Sequence, residues 1–505
     1  MFINPLGLTN TATATVSSKF LTSLTKIFAA NLTKFPPRVA VALSGGADSM
    51  ALLNLLVKIK MKKLNDLKID AITVNHNIRP ESTDEVDQLS KLISHLPITH
   101  HVLEIKQKID PKQMERTARE LRYQLMLGAC EKLGISDLFM GHHRDDQLET
   151  FMMRMQSNST LFGLRSMTPV SRFPMVSPTL DLKVIRPLLE VDKKEILQFC
   201  KENELVWFED STNFMPELTR RNYYRYLLKD EKKRLPPVLH KARLLDSLAR
   251  IEKFNSRVER EIALMDRSLT KNGSVKFDPE TISLNLKIPK DMFSRFSFVT
   301  LDRYLFLKLY QVSPSKNFFH EFTKVDNKYS AFTENPSNKK KNSLMQDINT
   351  GHKPNRFTVL NCQFEVTKTD KFIEISVCRA NENTHQGYNV MPFSMKEGFS
   401  NWIYFDNRVF FRFFNKSMSN NGDYRLEVYK DSEHLDLLKQ GFAKYLDFKR
   451  LLNNYNLPVL IKAGQNDEPD KIVCFPTISR YADGFNKDNL SVDAELKRDL
   501  VQEDE

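Results

Sequence analysis

At 505 residues the chain exceeds one typical domain, so two or three are expected, and its 41% apolar content can build real cores. No apolar run approaches the roughly 18 residues of a membrane span, so no membrane anchor is expected. Net charge is +12, and the five cysteines (Cys130, Cys200, Cys362, Cys378, Cys474) form no C-x-x-C pair. That spacing argues against a zinc ribbon or an iron–sulfur site and fits a reduced compartment with single buried thiols.

In chain order, the first 47 residues hold no acid, and Thr9 to Thr25 is rich in Ser and Thr. Acid-poor, Ser-rich starts are transit-peptide-like, so residues 1–18 are read as a mitochondrial leader. Against this, no Arg precedes Arg38, and Phe20 to Ala30 reads equally well as a first helix. Val39-Ala40-Val41-Ala42-Leu43 is a buried strand that empties into Ser44-Gly45-Gly46-Ala47-Asp48-Ser49 and an apolar helix start. Strand, Gly-rich turn and helix gather backbone N–H groups at one point and make an anion site. The glycines allow close approach, and the serines add hydroxyl donors. Asp48 beside phosphates makes sense mainly as a partner for Mg²⁺. The loop lacks the Gly-Lys-Ser/Thr ending of a Walker A motif. It resembles instead the SGGxDS PP-loop of the N-type ATP pyrophosphatases, which implies ATP as substrate, with Ser44, Gly45, Gly46, Ala47, Asp48 and Ser49 around its phosphates.

Ile69 to Val74 reads as a second strand ending at Asn75-His76-Asn77-Ile78-Arg79. Strand ends carry ligand groups in doubly wound sheets, so His76 and Arg79 are expected near the nucleotide. A helix follows over about 84–96, and another places Glu115, Arg119 and Arg122 on one face. A third strand, Asp137 to Met140, ends in Gly141-His142-His143-Arg144-Asp145-Asp146-Gln147-Leu148-Glu149-Thr150. A helix starting near Arg144 puts Asp145 and Glu149 on one face, with Asp146 one step round. Such acids can bind Mg²⁺, hold an ammonium group, or simply favour a helix N-terminus.

The order of motifs then becomes specific. Gly-His-His-x-Asp-Asp-Gln-x-Glu-Thr is followed by Arg154, Gly163-Leu164-Arg165-Ser166-Met167, and Ile185-Arg186-Pro187-Leu188-Leu189. Trp207-Phe208-Glu209-Asp210-Ser211-Thr212-Asn213 and Thr219-Arg220-Arg221-Asn222-Tyr223-Tyr224-Arg225 complete the run. Residues 38 to about 228 resemble the tRNA(Ile)-lysidine synthetases. Beyond them the likeness is weaker, carried by Tyr404-Phe405-Asp406-Asn407-Arg408 and Leu457-Pro458-Val459.

The resemblance implies that ATP adenylates the C2 oxygen of the wobble cytidine in a tRNA(Ile) with a CAU anticodon. The ε-amine of free L-lysine then displaces AMP. Asp48, Asp145, Asp146, Glu149, Arg119 and Arg186 are the expected catalytic residues, with Arg221 a further cation for the developing phosphate charge. Mg²⁺ is expected at Asp48 and at Asp145 or Asp146. Ala47 and Arg144 are local variations that break no motif. Rival readings are another PP-loop amidotransferase or thiolase, which needs an ammonia or sulfur source not evident here, and a non-catalytic tRNA-binding protein.

Residues 220–243 hold nine Lys/Arg against two acids, with Tyr223, Tyr224 and Tyr226 among them. Basic groups interleaved with aromatics suit RNA phosphates and unstacked bases, so Arg220, Arg221, Arg225, Lys232 and Lys233 are expected to touch tRNA. Lys339-Lys340-Lys341 reads as a second basic cluster without a clear assignment.

Past 228, His240 to Thr270 has helical spacing, and apolar helices continue from Phe293 to Tyr310. After an Asn/Lys-rich loop over about 334–355 the period becomes two, giving strands near 357–360, 362–366 and 372–377. A further strand is read at 409–414, a helix near 442–455, and strands at 459–461 and 472–475. The charged tail from Asp493 is read as unordered. The expected architecture is an α/β catalytic domain (19–228) with a doubly wound, mostly parallel sheet. A helical middle domain (229–345) and a small mixed α+β domain (346–505) follow. A homodimer stays open.

Overall fold

The computed structural model describes residues 15–500 except 31–34, 76–80, 108–113, 210–214, 317, 321, 323–324, 326–342, 382–389 and 465–467. His76, Arg79, Asp210 to Asn213 and Lys339 to Lys341 lie outside the described residues. The chain divides into two compact units, Met1–Glu252 and Lys253–Glu505.

The first unit alternates helix and strand: α1 (Val16–Ala30), β1 (Arg38–Ala42), α2 (Ala47–Lys63), β2 (Lys68–Asn75), α3 (Glu81–Ile93), β3 (Thr99–Glu104), α4 (Met114–Leu133) and β4 (Asp137–Phe139). It continues with α5 (Arg144–Gln156), α6 (Leu161–Leu164), β5 (Val170–Arg172), β6 (Lys183–Ile185), α7 (Lys193–Glu202), α8 (Arg220–Lys229) and α9 (Glu231–Arg234). The sheet order is β3-β2-β1-β4-β6-β5, parallel except for β5 against β6. β1 is buried on both faces because its side chains alternate between two cores. Val39 and Val41 join Leu52, Leu56, Ile196 and Phe199 from α2 and α7, whereas Ala40 joins Met126, Cys130 and Leu138. Strand order reverses between β1 and β4, the point where doubly wound sheets open a crevice at their strand ends.

α1 begins at Val16, and Val16, Phe20, Leu24 and Ile27 are buried in the α2/α7 core. Lys19 pairs with Glu195 at 2.6 Å. The expected leader boundary after residue 18 therefore falls inside a packed helix.

A long helix, α10 (Lys241–Lys271), runs across the division at 252. The second unit departs from a helical middle domain. β7 (Val275–Asp278) and β8 (Ser283–Pro289) precede the helices α11 (Met292–Arg295) and α12 (Phe298–Leu309). They form one antiparallel sheet, ordered β7-β8-β11-β10-β9, with β9 (Arg356–Val359), β10 (Cys362–Lys368) and β11 (Phe372–Arg379). The boundary expected at 345 therefore cuts a single sheet. Ser343 caps α13 (Leu344–Thr350) within the stretch read as loop, its side chain accepting from the Gln346 amide.

The remaining strands form two further sheets around Phe405, Phe411, Phe413, Tyr424 and Leu426. Asp406 and Asn407, both at φ 51°, open the three-residue turn from Ile403–Phe405 to Val409–Asn415. Asp406 is buried between Arg379 and Arg408, each 2.7 Å away. The start of the tail expected to be unordered, Asp493 to Leu496, lies in a strand, Leu490–Leu496, paired along Val409–Asn415 with Arg412 opposite Asp493. Its charged residues alternate with partly covered ones, so one face can pack while the other stays wet. The helix expected near 442–455 is present as Leu446–Tyr455, and a further helix, Asp431–Gly441, precedes it.

Candidate active site

The loop after β1 and the loop after β4 meet at the reversal of strand order. Gly45 takes φ +78°, a left-handed conformation that a side chain would strain, and its carbonyl accepts from the Phe208 amide at 3.0 Å. The Ser49 hydroxyl donates to the Gly46 carbonyl at 2.9 Å and lies 3.2 Å from the Ser44 hydroxyl. Gly46 is the N-cap of α2 and no side chain caps it, so the first amides of the helix face the loop opening. Gly141 packs directly on this turn. A Cβ there would lie 2.9 Å from the backbone carbonyl of Asp48 and 3.1 Å from the Ser49 nitrogen.

The acids expected from sequence all reach this region, but each has a partner. Asp48 is held by Lys193 Nζ at 2.7 and 2.8 Å. Asp145 receives Lys241 Nζ at 2.8 Å and the Lys193 amide at 3.3 Å. Asp146 accepts the His143 amide at 3.0 Å, closing the first turn of α5. His143 Nε2 stands between Asp146 Oδ2, at 3.4 Å, and Asp48 Oδ1, at 3.6 Å. Burial works against the Asp146 carboxylate, but His143, Arg221 and His142 outweigh it and hold its pKa below the usual range. Glu149 is buried, and burial with the nearby Asp146 charge pushes its pKa up against the pull of Arg225 and Arg221.

Arg221 and Arg225, expected at tRNA, both turn inward. Arg221 Nε and Arg225 Nε each lie 3.0 Å from Glu149. Arg220, Lys232 and Lys233 stay exposed, as do Tyr223 at 50% and Tyr226 at 43%. The Arg234 guanidinium stacks 3.6 Å from the Tyr226 ring centre. An RNA-facing surface would thus be the outer side of α8 and α9.

A group of arginines acts on His142 together with Asp146. Arg186 donates to the Thr168 carbonyl at 3.1 Å and to Ser171 Oγ at 2.8 Å, while its Nε is buried without a partner. Burial, with the like charges of Arg119 and Arg154, lowers its pKa to about 10. Arg119 is exposed on α4, its guanidinium 4.9 Å from the Tyr123 ring centre, and Arg122 shares that ring at 5.5 Å. His142 has a buried, unpartnered Nδ1; burial and the Arg186, Arg221 and Arg119 charges lower its pKa to about 4, so it is neutral at pH 7. Among the described residues no acid pairs with Arg186 or Arg119, and cations of this kind favour a polyanion.

Sequence reasoning missed Lys193 and Lys241. Both look like ordinary surface lysines near helix starts, and only the fold shows their ammonium groups among the acids. Among the described residues no group of three metal ligands forms at the loop. The hard oxygens of Asp48 suit Mg²⁺ in the usual manner, one or two carboxylates completed by substrate phosphates.

A PP-loop domain model matches residues 16–231. The tRNA(Ile)-lysidine synthase of Rickettsia bellii is 32% identical over 194 residues, 38% of this chain and 43% of that protein. The synthase of Rickettsia felis is 34% identical over 191 residues, covering 38% and 42%. The match spans less than half the length of these relatives. Among solved structures, the U34-tRNA thiolase NcsA from Methanococcus maripaludis aligns with a TM-score of 0.37 and 21% identity, covering 47% of this chain and 78% of that one. Residues 16–231 thus form a PP-loop domain, similar in sequence to the tRNA(Ile)-lysidine synthases.

Proposed function

We propose that the protein ligates lysine to C2 of the wobble cytidine in a tRNA(Ile) with a CAU anticodon, through an adenylated cytidine. The observation that carries this reading is the meeting, at one sheet crevice, of a Gly-rich loop with a row of acids, with arginines acting on the adjoining His142. ATP lies with its β and γ phosphates on Ser44–Ser49. Arg186 and Arg119 face the charge that develops on the α-phosphate as the cytidine oxygen attacks and pyrophosphate leaves. Adenylation turns the C2 oxygen into a good leaving group, and the lysine amine then replaces it as AMP departs. Asp145 and Asp146 hold the ammonium of the incoming lysine, and an acid of this row takes the proton released on attack. Mg²⁺, held by Asp48 and the phosphates, would neutralise the leaving pyrophosphate. The acid-poor N-terminus supports a mitochondrial matrix destination.

Sulfur transfer has no carrier in this unit. Burial pushes the thiols of Cys130 and Cys200 up to about 12 and about 11, leaving them inert near neutral pH. The test is incorporation of labelled lysine into tRNA(Ile) transcripts carrying CAU or a changed anticodon. Lysine incorporated only with CAU is expected. ATP consumption that depends on tRNA but is indifferent to lysine would discard the proposed nucleophile.

A further inference from the structure

We infer that Lys193 is a phosphate-positioning residue, its ammonium bridging Asp48 and the nucleotide's polyphosphate. This rests on the proposed use of ATP, but not on the identity of the nucleophile. Asp48 lies in the first turn of α2, beside the cradle formed by Ser44, Gly45, Gly46 and Ser49. A carboxylate there repels any polyphosphate seated on the loop unless a cation lies between them. Lys193 supplies that cation alongside the Mg²⁺ proposed above, because each Asp48 oxygen keeps a second lone pair for the metal. Its Nζ meets both Asp48 oxygens, at 2.7 and 2.8 Å, which uses two of its three N–H donors. The third has no acceptor among the described residues.

The lysine is also held in place from behind. It opens α7, whose N-cap Asp192 forms a reciprocal capping box with Glu195. Arg144 Nη1 ties Asp192 to the start of α5 at 2.9 Å, and the Arg144 amide donates to the Val191 carbonyl at 2.9 Å. The Lys193 amide reaches Asp145, and Ile196, Phe199 and Cys200 bury the rest of α7 in the core shared with α2. The Lys193 backbone is thus fixed by two helix starts and a core, and its ammonium is held at the loop by Asp48.

The experiment is calorimetric titration of the full-length protein with inorganic pyrophosphate at fixed Mg²⁺. Lys193→Met is expected to weaken binding about 10- to 100-fold, the loss of one charge-assisted hydrogen bond, and Lys193→Arg to restore most of it. The double variant Asp48→Asn/Lys193→Met separates positioning from mere neutralisation of Asp48. If it stays weak, Lys193 acts on the phosphates; if it regains wild-type affinity, the inference falls. Wild-type affinity in Lys193→Met would also overturn it. An unchanged thermal midpoint in Lys193→Met assigns the loss to the ligand rather than to folding. Intact pyrophosphate binding without lysine transfer would sink the substrate reading and leave this one standing.

Discussion

At the scale of single residues, Gly141 is where sequence, packing and chemistry meet. It lies two residues past β4 and touches the Asp48 backbone, so a methyl group at 2.9 Å must push the anion loop away from α5. Gly141→Ala is expected to destabilise by about 1–3 kcal/mol in urea unfolding and to weaken pyrophosphate binding. Wild-type values in both measurements would refute the close approach. His142 gives a pH signature. Its pKa falls from 6.5 to about 4 on folding, so the unfolded chain binds the extra proton between those values. Stability therefore drops as pH falls through that window, by up to about 1.4 kcal/mol per unit. His142→Gln should flatten the slope of unfolding free energy between pH 6.5 and 4, and an unaltered slope would show that other groups set it.

At the scale of elements, α8 separates two jobs that its sequence merges. The run Arg220-Arg221-Asn222-Tyr223-Tyr224-Arg225 reads as uniformly basic and aromatic, yet helical geometry sends Arg221 and Arg225 inward to Glu149 and leaves Arg220 and Tyr223 outside. Arg225→Ala should cost about 2 kcal/mol of stability, because it leaves a buried carboxylate with one cation fewer. Replacing Arg220, Lys232 and Lys233 together by Ala should leave the thermal midpoint unchanged. It should also lower tRNA affinity and reduce the salt slope by about 2 to 3. An unchanged salt slope would move the RNA surface elsewhere.

Elements were legible wherever the period was clean. The strands before Ser44 and Gly141 and the helix opening at Arg144 follow from apolar runs, glycines and acids. The Leu284, Leu286 and Ile288 alternation of β8 was equally present in the sequence. It lay between two helical stretches, and the helical reading was carried across it. The strand at 490–496 was masked by its acids, because half of its side chains face water.

At the scale of the molecule, the sequence carried the first unit more fully than the second. The order of loops along β1 and β4 fixes the crevice, since strand ends at a reversal of order must converge. Lys193 and Lys241 could not be read, because their partners are remote in sequence and joined only by the fold. The division of the second unit could not be read either, because its sheet takes β8 and β11 from either side of a helical segment.

The most direct measurement is pyrophosphate release from ATP by the purified protein, with tRNA(Ile) CAU transcript and lysine present, comparing wild type with Asp48→Ala. The account predicts tRNA-dependent release in the wild type and its loss in the variant. Release that survives Asp48→Ala, or that proceeds equally without tRNA, would contradict it.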